Sequence, residues 1–139
     1  MYESLTSILS KMNTKDFGEW IIDKENDGSP EHPKHFPFVV YQRVVRDLEN
    51  AVYSFVDQHK KMELTKYSEI LDEAQIEWGM ESMRHADVSS LSGKTVMALL
   101  VGAIRAERFC DGALLGFCED GSITKWLKRL QEIDLGAAE

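Results

Sequence analysis

Val96-Met97-Ala98-Leu99-Leu100-Val101-Gly102-Ala103-Ile104 is apolar on every side of a helix. In a helix running from about Ser90 to Cys110, this segment needs protein packed around its whole circumference, as the central helix of a bundle has. The uncharged run Thr95–Ile104 lies between Lys94 and Arg105 and is about half as long as a bilayer crossing. It predicts a buried core helix, and no membrane span is expected.

Segments on both sides offer cover for it. From Gln42 to about His59, Val45, Leu48, Val52, Phe55 and Val56 recur with a period near 3.6. A second, acidic helix is predicted over Lys66–Met80, where Tyr67, Leu71, Ala74 and Trp78 share a stripe and Thr65 stands as N-cap. The last helix opens at Ser122, turns Ile123, Trp126, Leu127, Leu130 and Ile133 inward and points Lys125, Lys128 and Arg129 outward, before a fraying tail at Leu135–Glu139. A first helix is predicted over Tyr2–Met12. Residues 113–119 fit helix or strand equally. Residues 17–22 and 37–41 have the aromatic and β-branched character of two short strands joined around a loop rich in turn signals. The expectation is a mostly α, single-domain helical bundle over residues 1–139. About five helices surround the central apolar helix (96–104), with a small β-hairpin element (17–22, 37–41).

At 139 residues the chain is long enough to bury a core without staples. Its 24 acids against 16 bases give a formal charge of −8, which argues against a nucleic-acid surface spread over the molecule. Of this, −5 falls within residues 63–87, a solvated acidic face in its simplest reading. Two cysteines, Cys110 and Cys118, are too few for a disulfide scaffold, and as small buried thiols they suit a reducing compartment. Residues 1–12 are too polar for a signal peptide, so a cytoplasmic location is expected.

The catalytic motifs fail on spacing. Ser92-Gly93-Lys94-Thr95 ends like a phosphate-binding loop, but Val88 stands where the first glycine must be and no buried strand precedes it. It reads as the first turn of a helix. His32 and His35 sit in a proline-punctuated loop and cannot close a tetrahedral site by themselves, so no metal and no cofactor is expected. Cys110 lies near a helix C-terminus, whose dipole disfavours a thiolate.

The cluster Arg105-Ala106-Glu107-Arg108-Phe109-Cys110-Asp111-Gly112 is the richest in chemistry. Arg105 and Arg108, spaced i, i+3, can turn two guanidinium forks the same way. Such forks either pair with carboxylates of the acidic helix or grip an anionic ligand, with Trp20 and Tyr41 as candidate neighbours lining a pocket. Glu107 is expected to be structural.

At this cluster the chain resembles a prokaryotic family known as domain of unknown function 6508, over roughly residues 17–133. The marks are Phe17-Gly18-Glu19-Trp20, Asp27-Gly28, Pro37-Phe38-Val39-Val40-Tyr41, Val52-Tyr53, Arg105, Glu107-Arg108-Phe109-Cys110-Asp111-Gly112, Asp120-Gly121-Ser122-Ile123 and Leu127-Lys128-Arg129-Leu130. The resemblance implies a small, largely helical intracellular protein and supplies no activity. Two readings of function stand. One is a non-enzymatic binding or regulatory module that meets a protein partner or a second copy of itself. The other is a small enzyme or ligand-binding protein for an anionic metabolite held by Arg105 and Arg108.

Overall fold

A computed structural model of the chain describes residues 1–34 and 36–136; His35, read above with His32 as a loop histidine, and the end of the tail read as fraying lie outside the described residues. The central helix, α5 (Gly93–Ala106), is buried continuously from Val96 to Ile104. Ser92 caps it, its hydroxyl accepting from the Thr95 N–H at 3.2 Å, so Ser92-Gly93-Lys94-Thr95 is a capped first turn.

Around α5 pack α2 (Arg43–Gln58), α3 (Tyr67–Glu73), α6 (Ala113–Glu119) and α7 (Ser122–Asp134), while α1 (Glu3–Thr6) and a following 3-10 turn (Ser7–Lys11) close against α2 and α7. The molecule is therefore mostly helical with one small sheet. α2 delivers Val45, Leu48, Val52 and Phe55 to the core, and α7 delivers Ile123, Trp126, Leu127 and Leu130. Among the described residues, no helix is long and apolar enough to cross a membrane.

The predicted long acidic helix stops early. α3 ends at Glu73, Gln75 turns left-handed (φ 63°), and a separate short helix, α4 (Met80–Arg84), follows. The Ile76 N–H returns to the Leu71 carbonyl at 2.9 Å and the Gln75 N–H to Asp72 at 2.9 Å. That is a Schellman closure, sealed by the burial of Leu71 and Ile76. Thr65 lies in a 3-10 turn and caps nothing. Residues 113–119, open in sequence, form a helix. Ser122 is buried inside α7, while Gly121 (φ 85°) makes the turn and Asp120 Oδ1 accepts from the Ser122 N–H at 2.8 Å. Arg129 does not point outward: it is 5% exposed, its Nε and Nη2 both donating to the Leu91 carbonyl at 3.1 Å.

The two strands, β1 (Gly18–Ile21) and β2 (Phe38–Tyr41), pair antiparallel as expected, with Gly18 opposite Tyr41 and Trp20 opposite Val39. Since side chains alternate along a strand, Trp20, Val39 and Tyr41 share the face toward the helices. A Cβ on Gly18 would stand 3.0 Å from the Val40 carbonyl and 3.4 Å from Leu115, so this glycine lets the hairpin sit close to α6. The outer face carries Ile21, Phe38 and Val40, all exposed.

Candidate functional site

α5 delivers its C-terminal residues to a turn, with Arg108 N–H on the Arg105 carbonyl and Cys110 N–H on the Ala106 carbonyl. Gly112 (φ 87°) then redirects the chain into α6. Glu107 holds this junction: its carboxylate accepts from the Gly112 N–H at 3.1 Å, the Leu114 N–H at 3.0 Å and the Tyr41 hydroxyl at 2.7 Å. A carboxylate on the otherwise orphaned donors at the start of a helix satisfies them and favours the dipole. Tyr41 completes the clasp, its oxygen accepting from the Leu115 N–H at 3.1 Å. Trp20 closes the other side, because its benzo edge covers Gly112 so closely that a Cβ there would overlap Cζ2. Tyr41 and Trp20 thus join the hairpin to the α5–α6 junction.

Burial and the neighbouring Glu107 carboxylate both push the Tyr41 phenol well above its ordinary value. Glu49 of α2 is also raised, by burial first and by Glu107 as well, against the opposing pull of Arg46. Burial, reinforced by Asp120 and Glu119, pushes the Cys118 thiol up to about 12. Cys110 differs from the sequence expectation of a buried thiol: it is exposed.

The two arginines take no part in the clasp. Arg105 is half-buried and Arg108 exposed, and among the described residues neither has a carboxylate within ion-pairing distance. Beside them Phe109 is 76% exposed, with its ring edge-on to Trp78 at 5.7 Å. Trp78 in turn meets Tyr67 edge-on at 5.5 Å and donates its indole N–H to the Gly102 carbonyl at 3.0 Å. An aromatic strip therefore runs from the Arg105–Cys110 turn to the start of α3. Sequence reasoning assigned Trp78 to an uninterrupted helix and gave Phe109 no role. An aromatic side chain among charged residues, beyond the apolar run that ends at Ile104, was the available signal.

Neither arginine lines any of the four depressions described next. A depression of about 750 Å³ lies elsewhere, where Lys125, Lys128 and Arg129 of α7 meet Asp87, Glu119 and Glu132. Its charges balance, and Lys125 already donates to the Arg84 carbonyl at 2.9 Å. Smaller depressions of about 330 to 390 Å³ do not include Arg105, Arg108, Trp20 or Tyr41 either. The residues named from sequence are brought to one end of α5, but with different partners: Trp20 and Tyr41 with the clasp, Arg105 and Arg108 with open surface.

Neither the curated proteins nor the solved structures include one that matches the chain. A family model described as a family of unknown function, DUF6508, matches residues 2–134. The chain belongs to that family.

Proposed function

We propose that the protein is a non-enzymatic binding module, and that the Arg105–Cys110 turn with its aromatic strip is the face that meets a protein partner. The observation that carries this reading is the pair of guanidinium groups, unneutralised among the described residues, beside an exposed phenylalanine. Arginine and aromatic side chains are the residues in which binding energy concentrates at interfaces. Catalysis has less support. The Tyr41 hydroxyl is committed to Glu107, Glu107 to two backbone donors, and the Cys118 thiol is buried. The alternative of an anionic metabolite rests on the same two guanidinium groups. It is the weaker reading, because small-molecule sites are concave and enclose most of the ligand. The free thiols suit a reducing cytoplasm.

The test is native purification of the protein and of its Arg108→Glu, Phe109→Ser variant, followed by sedimentation. A stoichiometric complex or self-assembly, lost in the variant, is the expected result. A strict monomer with no companion protein, identical in both forms, overturns the reading.

A further inference from the structure

Arg43, Arg84 and Arg129 pair with Asp47, Glu81 and Glu132, and Arg46 draws on Glu49. Arg105 and Arg108 have no such partner among the described residues, although the chain holds 24 acids against 16 bases. The backbone sets these two side by side. The Arg108 N–H donates to the Arg105 carbonyl and the Phe109 N–H to the Ala106 carbonyl, both at 3.1 Å. In turns closed this way side chains i and i+3 stand one above the other, so Arg108 stands over Arg105 and Phe109 over Ala106 in the next column. Trp78 reaches the same end of α5: its indole N–H meets the Gly102 carbonyl, and a Cβ on Gly102 would touch its Cδ1 at 3.3 Å. Arg105 and Ala106, three and four residues on, are the next positions on that side of the helix. The helix dipole favours cations at this end but takes up none of their N–H donors.

We propose that the partner supplies an acidic segment, with two carboxylates beside one large apolar side chain. The inference rests on the binding-module reading and names the chemistry of the partner at the same face. Guanidinium forks take carboxylates in paired hydrogen bonds, and here neither fork must first release a carboxylate of its own chain. An apolar side chain laid on Phe109 and Trp78 takes the exposed ring out of water. Carboxylates alone would leave that ring uncovered, and an apolar segment alone would bury the guanidinium groups without counter-charge. A nucleic-acid strand fits less well. It would lay a run of phosphates along the rings, and residues 63–87, which supply Tyr67 and Trp78, hold seven acids against two bases.

A random peptide library displayed on phage and panned against the full chain tests the proposal, with the enriched sequences then measured as synthetic peptides by fluorescence anisotropy. Enriched peptides are expected to carry at least two Asp or Glu close to an aromatic residue or a leucine, and to bind more weakly as salt rises. Arg105→Gln with Arg108→Gln is expected to raise their dissociation constant at least about 10-fold, and Phe109→Ser to raise it as well. Arg105→Glu with Arg108→Glu is expected to take instead the same peptide with Lys in place of its acids. Circular dichroism spectra matching the parent confirm that each variant is folded, and Arg108→Gln alone serves if Arg105→Gln disturbs the helix end. Enriched peptides without acids, dependent on Phe109 but on neither arginine, overturn the acidic segment and leave the binding-module reading standing. Tighter binding of single-stranded RNA at these residues, or a dimer of the chain itself that Arg108→Gln abolishes, overturns it too. The absence of any peptide that depends on these residues also overturns it, and if native purification then yields no companion protein, both readings fall.

Discussion

The Tyr41 hydroxyl donates to Glu107 Oε1 at 2.7 Å across 66 residues of sequence, joining the hairpin to the junction between α5 and α6. The same carboxylate serves two backbone donors of that junction, so the three contacts act as one unit. Glu107→Ala strands the Gly112 and Leu114 N–H groups and is expected to cost about 2–3 kcal/mol, whereas Tyr41→Phe costs about 1 kcal/mol. Urea unfolding of the two single variants and the double variant checks this. The double variant should lose less than the sum of the singles, and strict additivity contradicts the shared node.

Gly112 needs its left-handed turn and the open space under Trp20 at once. Gly112→Ala meets both a strained backbone and an overlap with the indole, and is expected to cost roughly 2–3 kcal/mol. Combining it with Trp20→Ala removes the overlap and leaves the strain. The second substitution should therefore cost less in the Gly112→Ala background than in the parent, read by the same unfolding experiment.

Gln75 closes α3 with a left-handed backbone that a side chain adopts at a cost. Gln75→Gly relieves it, and a gain of about 0.5–1 kcal/mol is expected, seen as a rise of a few degrees in Tm. Gln75→Val should lower Tm.

These positions show where the sequence was legible. The central helix announced itself because no side of 96–104 tolerates water, and the amphipathic period of 43–58 follows from covering it. The end of α3 carried no such mark, since a glutamine fills the place where glycine is usual. Arg129 misled because charge was equated with exposure, while the Leu91 carbonyl that receives it lies 38 residues away. The Tyr41–Glu107 clasp was invisible for the same reason: both residues were named, but their pairing depends on how the hairpin docks. The aromatic strip required α3 to break so that Trp78 could turn toward Phe109.

Alkaline pH should weaken the fold through two groups. The Cys118 thiol is raised from 9.0 to about 12 by burial, and the Tyr41 phenol is also raised above its ordinary value by burial and Glu107. Both are neutral acids with raised folded values, so the unfolded chain releases their protons first as pH climbs. Their contribution is full below about pH 9 and is lost progressively towards pH 12. A Cys118→Ala, Tyr41→Phe variant is expected to show a flatter decline in urea midpoint between pH 8 and 10.5. An unchanged slope would contradict the assignment.

Labour is divided at the end of α5: Tyr41, Trp20, Glu107 and Gly112 hold the fold, while Arg105 and Arg108 are proposed to meet a partner. The most direct test of this division is the Arg105→Gln, Arg108→Gln variant, measured for Tm at high dilution and for association by sedimentation on the same preparation. With no carboxylate at ion-pairing distance among the described residues, a Tm within about 2 °C of the parent is expected together with loss of association. A large fall in Tm with association intact would show that the arginines serve the fold and not a partner.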